Sequence, residues 1–394
     1  MSIYRNDSHI ITIQAPSTIA NLVCGFDILG MAVTSPSDIL TLTRVSQPGI
    51  TLHHEDDFGL PIEPEKNIVG VVLAAAQRQF PMSGGLHARV RKAVQPGSGL
   101  GSSASSAAAA AYAYCTLYIG SMQTNQSLQI TNKSEIQMIE KSIPSDFDTG
   151  EVVHFQSNLL NSPGSPIGQK ENETNERITK NRSKATQTYY SPKIPTLYDV
   201  LDLALQGEEF ASGSRHADNV APCIWGGITL LSPEMPLKIT QLRIPELFVA
   251  ILLPKLIIKT SQARQVLPRE VTLQTAIRQM GFLAQFVAAL EQNNYELLAS
   301  SLRDEIAEPY RQRLIPGFSE VMQAGRNAGA LGGGIAGSGP AMFMLVRDES
   351  NAHLVAAAME RAFRVGQLEC SAWVSQICKK GICATDWSPV LKED

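Results

Sequence analysis

The chain has 394 residues, of which 44% are hydrophobic and 18% charged, and its formal net charge at pH 7 is −4. This length exceeds what one hydrophobic core usually supports, so we expect two lobes. The nearly balanced charge, and the lack of an apolar stretch near the roughly 20 residues needed to cross a bilayer, argue against nucleic-acid and membrane partners.

The first third of the chain alternates strands with helices. Residues that switch between apolar and polar predict three strands, over 9–14, 39–45 and 86–94, and Lys92 is the one break in the third. Helices are predicted over Asn67–Phe80 and over Ala104–Tyr118, which contains neither Gly nor Pro and is rich in alanine, the best helix former.

A polar segment interrupts the chain at about residues 121–194. It is rich in Asn, Ser, Thr, Gln and Lys, and prolines cluster around it. Its apolar content is too thin to offset the entropy lost on ordering. We therefore predict an insertion that is mostly disordered, a tolerated excursion on the surface.

After this insertion the alternation of elements resumes. A helix is predicted over Leu197–Phe210, long helical patterns over Val271–Leu302, and strands over 228–231, 248–253 and 341–346. This mixture indicates an α+β class rather than an all-parallel sheet.

The Gly- and Ser-rich stretch Pro96–Ser106 joins a predicted strand to a predicted helix. Such a turn exposes unpaired backbone N–H groups and the positive end of the helix dipole, which together bind polyphosphate. It is not a Walker loop, because no lysine follows Gly101, and Ser102 replaces the third glycine of the dinucleotide fingerprint. Taken alone, the stretch is equally compatible with a flexible connector.

Three ordered motifs resemble those of the GHMP small-molecule kinases. The stretch Pro96–Ser106 is similar to their phosphate loop, Ala15–Gly30 to their first motif and Gly332–Pro340 to their third. Further stretches are similar to signatures of the homoserine kinase branch, namely Gly207–Gly227, Gln262–Pro268 and Arg303–Phe318. Six motifs in the right order make a chance match implausible.

The resemblance implies an α+β GHMP kinase fold and a reaction. An N-terminal ATP-binding lobe over residues 1–235 would resemble domain 2 of ribosomal protein S5, and a ferredoxin-like C-terminal lobe would span 236–394, with a nucleotide cleft at their junction. The implied reaction is phosphorylation of the L-homoserine hydroxyl by ATP with Mg²⁺, giving O-phospho-L-homoserine for threonine biosynthesis. A kinase for another small alcohol is one alternative. The other is a non-catalytic sensor, which would be expected to lose the loop serines, Glu208 or Asp218, all of which are present.

The resemblance also implies which residues hold ATP and magnesium. Ser103 and Glu208 are the expected magnesium ligands, because hydroxyl and carboxylate oxygens suit a hard cation. Asn67 is expected to contact adenine. The phosphates are expected on the loop residues Pro96, Gly97, Ser98, Gly99, Leu100, Gly101, Ser102 and Ser103.

Homoserine carries an ammonium, a carboxylate and a primary hydroxyl, and matched positions offer a complement to each. Asp27 and Asp218 would hold the ammonium or orient the hydroxyl. Arg264 and Arg311 would form bidentate pairs with the carboxylate. For Arg311 the alternative is a surface salt bridge with a neighbouring glutamate.

The expected catalytic residues are Asp218, Asn21 and Glu208. Asp218 is assigned substrate orientation first and proton acceptance second. Asn21 and His216 would add uncharged hydrogen bonds to the substrate. The alternative for Asn21 is an ordinary turn or cap residue.

The six cysteines form no C-x-x-C pair, so we expect buried free thiols in a reducing compartment rather than disulfides or a metal site. Cys24 lies in the first motif and is expected near the substrate pocket. Met1–Asp7 lacks the apolar region of a signal peptide, which favours a cytoplasmic location. A homodimer is compatible with these features.

Overall fold

The computed structural model describes residues 9–129, 193–366 and 368–385. Residues 125–193 are assigned to a separate unit, and nearly all of them lie outside the described residues. The predicted insertion falls outside the described residues from position 130 to position 192. The other elements belong to one compact unit, Met1–Thr124 with Ile194–Asp394.

Two β-sheets organise the described part of the chain. The larger sheet contains β1 (Ile10–Ala20), β2 (Leu29–Val45), β3 (Ile50–His54), β4 (Gly85–Arg91), β5 (Ile228–Leu231), β6 (Ile239–Leu242) and β11 (Cys383–Ala384). Its order is β11-β1-β2-β4-β3, and β5 pairs with both β2 and β6. Only β3 and β4 run parallel among the pairs of this sheet in the described residues.

The smaller sheet is antiparallel throughout its described strands. Its strands are, in spatial order, β10 (Cys370–Gln376), β7 (Phe248–Pro254), β9 (Met342–Val346) and β8 (Gly332–Ile335). Alternate residues of β7 pack into different hydrophobic cores. Val249 and Ile251 belong to one core, and Ala250 and Leu252 belong to another. Burial on both faces explains why this strand is an unbroken apolar run in the sequence.

Ten α-helices flank the sheets in the described residues. They are α1 (Ile68–Gln79), α2 (Ser102–Gln129), α3 (Leu197–Ser212), α4 (Ala217–Trp225), α5 (Thr260–Gln265), α6 (Leu273–Gln292), α7 (Tyr295–Ser301), α8 (Glu308–Arg311), α9 (Phe318–Asn327) and α10 (Glu349–Arg364). Helices α1 to α4 share one hydrophobic core with the larger sheet. A second core lies between the two sheets and includes α6, and a third joins the smaller sheet to α9 and α10.

The predicted elements are present, with differences at their ends. Helix α1 is bounded by Asn67 and Phe80, as predicted, because the Asn67 side chain accepts a hydrogen bond from the Val69 N–H and caps the first turn. Helix α2 continues to Gln129, beyond the predicted end at Tyr118, since no proline stops it. The long helical pattern at 271–302 is divided into α6 and α7 where Asn293 adopts a left-handed φ of 50°.

The two-lobe boundary at 235/236 stays a prediction. Strands β6 and β11, which follow that boundary in the sequence, both pair in the larger sheet. The chain therefore returns to the first sheet after building the second.

All six cysteines are free. Cys24, Cys115 and Cys223 are buried as expected, whereas Cys383 is exposed because it lies on the two-residue strand β11 at the edge of the larger sheet. Within the described part of the chain, no helix combines the length and the apolar character needed to cross a membrane.

Candidate active site

The phosphate loop, Pro96–Ser103, connects β4 to α2 and is held by hydrogen bonds from the first motif and from the residue after the third motif. From the first motif, the Thr18 N–H donates to the Leu100 carbonyl (3.1 Å), and after the third motif the Ala341 N–H donates to the Ser98 carbonyl (3.0 Å). Motifs more than 200 positions apart in the sequence thus meet at one loop.

The glycines of this loop are required by its backbone. Gly97, Gly99 and Gly101 have φ of 81°, 86° and 64°, in the left-handed region that other residues rarely adopt. A Cβ on Gly99 would lie 2.6 Å from the carbonyl oxygen of Ala336. Glycine therefore allows the loop to pack directly on the third motif.

Two loop serines turn their hydroxyls inward. Ser102 donates to the Val94 carbonyl (3.0 Å), and the Ser98 hydroxyl accepts from the Leu100 N–H (3.3 Å). Ser103 differs, since its side chain acts on the Glu208 carboxyl and lowers the pKa of that group. The loop therefore offers backbone N–H groups, with Ser103 as the hydroxyl directed at an acidic side chain.

A buried ion pair fixes the start of α2. Lys92 Nζ donates to Asp38 Oδ2 (2.7 Å), to the Ser102 carbonyl (2.7 Å) and to Ser106 Oγ (2.6 Å). The side chains of Lys92 and Asp38 are only 3% and 2% exposed. Lys92, a mere break in the predicted alternation, thus joins β2 and β4 to the phosphate loop and the first turn of α2.

The first motif holds its polar groups on a strained backbone. Asn21, Leu22, Val23 and Asp27 all have positive φ, at 72°, 42°, 66° and 60°. Such conformations cost about 1–3 kcal/mol each and persist where surrounding contacts impose them. Asn21 supplies such contacts, because its Oδ1 accepts from the Asp27 N–H (2.9 Å) and its Nδ2 donates to the Gly337 carbonyl (3.1 Å).

Arg264, at the end of α5, faces the first motif. Its Nη2 lies 3.3 Å from both carboxylate oxygens of Asp27 and 3.3 Å from Nδ1 of His216. Because a guanidinium only donates, Nδ1 of His216 accepts and the ring proton is on Nε2. That Nε2 is buried without a hydrogen-bond partner, and burial lowers the pKa of the imidazole, as does the charge of Arg264.

Arg311, on α8, is buried beside the same motif. Its Nε donates to the Ala263 carbonyl (3.1 Å) and its Nη1 to the Gly337 carbonyl (2.9 Å), while its Cζ lies 5.2 Å from the Phe26 ring centroid. Burial lowers the pKa of the guanidinium. No carboxylate of the described residues forms an ion pair with Arg311, which does not support the surface salt bridge considered from the sequence.

Two buried carboxylic acids complete the group. Burial raises the pKa of Glu208 on α3 to about 7, although the hydrogen bond from Ser103 opposes the shift. Burial also raises the pKa of Asp218 in the first turn of α4 to about 7, with a further rise from the negative charge of Asp27. Glu208 Oε1 and Asp218 Oδ1 have no hydrogen-bond partner. Unpartnered buried acids of this kind indicate a site for a cation or a polar ligand.

One cavity of about 210 Å³ brings these groups together. It is lined by the sequence-predicted residues Asn21, Asp27, Pro96, Gly97, Gly99, Gly101, Ser102, Ser103, Glu208, His216, Asp218, Arg264 and Arg311. The side chain of Cys24, expected near the pocket, does not line this cavity, and burial raises its pKa to about 12.

Asn67 lines a second cavity, of about 140 Å³, which also contains Pro96 and Ser103 and so adjoins the first. Its side chain is fully engaged. Its Oδ1 accepts from the Val69 N–H, and its Nδ2 donates to the Pro61 carbonyl (2.6 Å) and to Nε2 of His54 (2.9 Å).

Comparison with known proteins decides the family. Residues 67–147 match the GHMP kinases N terminal domain, and residues 286–365 match the family described as GHMP kinases C terminal. The chain is 33% identical over 376 residues to a homoserine kinase of Chlorobium phaeovibrioides, with 93% of this chain and 97% of the relative covered. The chain belongs to the homoserine kinase family. A homoserine kinase of Pyrococcus furiosus is 29% identical over 371 residues, with the same coverage of both chains.

Solved structures of the homoserine kinase family and of other GHMP proteins agree. A homoserine kinase from Cytophaga hutchinsonii superposes with a TM-score of 0.74 at 30% identity, over 98% of both chains. A Lactococcus lactis galactokinase, 12% identical over 96% of this chain and 95% of its own, shares the fold with a TM-score of 0.58. The predicted family and the α+β GHMP fold are therefore confirmed.

Some residues of this candidate site are not predicted from the sequence. Thr260 and Ser338 line the larger cavity, and Thr18 donates from Oγ1 to the Asn219 side chain (2.8 Å). Ser338 lies inside the third motif, so its hydroxyl was a visible signal. Thr260 precedes the Gln262–Pro268 stretch by two positions, and no pattern in the sequence singles it out.

Proposed function

We propose that the larger cavity binds ATP and L-homoserine together and transfers the γ-phosphoryl group to the homoserine hydroxyl. The observation that carries this proposal is the shared cavity, in which the phosphate loop, two buried acids and two arginines face one another. Homoserine kinase relatives over nearly the full chain support the same reaction.

The phosphates of ATP would lie at the N-terminus of α2, on the backbone N–H groups of Gly97–Ser103 other than those of Ser98 and Leu100, which are bonded within the protein. Adenine would occupy the smaller cavity beside Asn67. Because the Asn67 side chain is already bonded, its part is to shape that cavity rather than to donate to the base.

The residues present fit a magnesium ion. The unpartnered Glu208 Oε1 and the Ser103 hydroxyl are hard oxygen donors at the phosphate loop. Mg²⁺ uses one or two carboxylates together with phosphates and waters, which matches one carboxylate and one hydroxyl beside the phosphate loop. When bound, it would neutralise charge on the phosphates.

The substrate carboxylate would pair with Arg264 and Arg311, and the ammonium would lie against Asp27. The contacts with Arg264 and Asp27 would replace the ion pair that these two residues form with each other in the structure. His216 Nε2–H is a further donor without a partner.

Asp218 would orient the hydroxyl through its unpartnered Oδ1. As the hydroxyl oxygen bonds to the γ-phosphorus and the bond to the bridging oxygen of ADP breaks, the hydroxyl proton passes to Asp218. A carboxyl with a pKa of about 7 is suited to accept it. Asn21 would hold the first motif in place beside it.

A coupled ADP-release assay tests the proposal with L-homoserine, mevalonate and galactose as acceptors. We expect turnover with L-homoserine alone and O-phospho-L-homoserine as the product. Turnover restricted to another alcohol would support the kinase alternative, and nucleotide binding without turnover would support the sensor.

We place the reaction in the cytoplasm, where ATP is the common phosphoryl donor. The homodimer stays a prediction.

A further inference from the structure

The wall of the smaller cavity depends on a segment without regular structure. Residues 55–63 follow β3 and precede α1, and Leu60 and Pro61 from this segment line the cavity together with His54 and Asn67. Nine residues outside helices and strands need other contacts to hold one conformation.

A chain of hydrogen bonds centred on His54 supplies these contacts. His54 Nδ1 lies 3.4 Å from Asp56 Oδ2, and Nε2 lies 2.9 Å from Asn67 Nδ2. The side chains of His54 and Asp56 are 8% and 6% exposed. Asp56 Oδ2 also accepts from the Lys92 N–H (3.0 Å), so the chain ends at the strand that leads into the phosphate loop.

The donors and acceptors of this chain are determined by its ends. Asn67 Oδ1 accepts from the Val69 N–H, which directs Nδ2 toward His54 and toward the Pro61 carbonyl. Because Nδ2 only donates, His54 Nε2 must accept, and the ring carries its proton on Nδ1, facing Asp56. His54 is thus a neutral bridge with both nitrogens used.

We propose that His54 is a positioning residue for the nucleoside half of ATP. It holds Asn67 in place and, through Asn67, the Pro61 side of the cavity wall, so that the cavity stays wide enough for the nucleoside. Together with Asp56, it connects this wall to the strand before the phosphate loop. This inference rests on the proposed nucleotide site and assigns no contact between His54 and the reacting atoms.

The test compares three substitutions. His54→Leu removes both hydrogen bonds, whereas His54→Gln retains a side chain that can accept from Asn67 and donate to Asp56. His53→Leu is the matched control, because His53 is the preceding residue of β3 and is exposed. For each protein, the Kd of ADP is measured by calorimetry without homoserine, and the KM of ATP, the KM of L-homoserine and kcat are measured separately.

We expect His54→Leu to weaken ADP binding and to raise the KM of ATP about tenfold, the effect of losing one or two hydrogen bonds. The KM of L-homoserine and kcat should stay within about twofold, and His54→Gln should recover most of the loss. Unchanged ADP binding in His54→Leu would overturn the proposal, as would an equal loss for ATP and homoserine. If His54→Leu does not fold, Asp56→Asn, which weakens the acceptor for Nδ1–H, should still weaken ADP binding about threefold; unchanged ADP binding there would overturn the proposal.

The two proposals fail in different ways. A wild-type protein that binds ADP but phosphorylates no homoserine would refute the proposed function, while the ADP measurements on the His54 variants would still decide the role of His54.

Discussion

Arg264 Nη2 lies at the same distance, 3.3 Å, from each carboxylate oxygen of Asp27. Both side chains are more than a third exposed, so the pair contributes little to stability. The pair therefore occupies the proposed substrate region at low energetic cost. A ligand with an ammonium and a carboxylate can take over both partners, because it offers Asp27 a cation and Arg264 an anion.

We expect Arg264→Gln to raise the KM of L-homoserine by about 10- to 100-fold, the usual effect of losing a charge-assisted pair, and to change the KM of ATP less than about twofold. Steady-state kinetics with each substrate varied in turn checks this. Arg215→Gln is the control, since the partners of Arg215 among the described residues are the exposed Asp202 and Glu209. Homoserinol lacks the carboxylate. If the wild-type protein phosphorylates homoserinol as fast as L-homoserine, Arg264 and Arg311 do not form a carboxylate site.

Glu208→Gln should fold normally and lose about 100-fold or more of kcat, because a neutral amide is a poor magnesium ligand. Partial recovery at raised Mn²⁺ is expected. Glu209→Gln provides the control, since Glu209 is the next residue of α3 and is exposed. A turnover number within about twofold of the parent corresponds to a change of less than about 0.5 kcal/mol in the activation free energy. Such a result would show that Glu208 is not a metal ligand.

Gly99→Ala should abolish tight ATP binding, because the added Cβ meets the Ala336 carbonyl and the loop must move. Gly213→Ala is the control, because it tests the effect of backbone strain without such a clash. Gly213 also has a left-handed φ, of 77°, but a Cβ there meets nothing within 4 Å. ADP titration of both variants should show a loss of about tenfold or more for Gly99→Ala and near-parent affinity for Gly213→Ala. Equal affinities would mean that the loop is not tightly packed on the third motif.

The phosphate loop and the ends of α1 could be predicted because their signals are local. Glycines at Gly97, Gly99 and Gly101 mark the left-handed turn, and Asn67 marks the start of α1. These features depend on neighbouring residues, so periodicity and motif comparison find them.

Long-range pairs could not be predicted in this way. Lys92 and Asp38 are 54 positions apart, and a lysine in a strand ordinarily faces solvent. Likewise, the left-handed conformations of Leu22 and Val23 contradict their own preferences, and they follow Asn21, whose side chain bonds the Gly337 carbonyl 316 positions away. Such features become visible only once the fold brings distant residues together.

Lys92→Met should destabilise the protein by about 3–5 kcal/mol, because it leaves the buried Asp38 carboxylate uncompensated. Denaturant unfolding measures this change. The double variant Lys92→Met with Asp38→Asn should recover part of the loss. Lys255→Met, which breaks an ion pair whose side chains are 78% and 76% exposed, should have far less effect on stability. Equal costs for the two lysines would show that Lys92 is not buried with its partner.

Glu308→Gln should stabilise the protein above pH 7 and have little effect near pH 5. Burial raises the pKa of Glu308 from 4.5 to about 7, and the charge of Asp304 adds to the rise. Between these values the folded state binds a proton that the unfolded state lacks, so stability is full below pH 4.5 and falls as pH rises through 7. The gain at pH 8 is expected to be on the order of 1–3 kcal/mol.

Urea unfolding at pH 5 and pH 8 checks this expectation, with the exposed Glu320→Gln as the control. A gain of the same size at both pH values would contradict an ionisation effect.

The pairing of β11 with β1 has a consequence for synthesis on the ribosome. Ile13 and Gln14 of the strand that carries the first motif pair with Ala384 and Cys383, some 370 positions later. Until those residues have left the exit tunnel, β1 is an edge strand with unpaired N–H and C=O groups, open to pairing with another chain. Co-translational folding of the larger sheet thus proceeds with one unprotected edge until Cys383 and Ala384 have emerged.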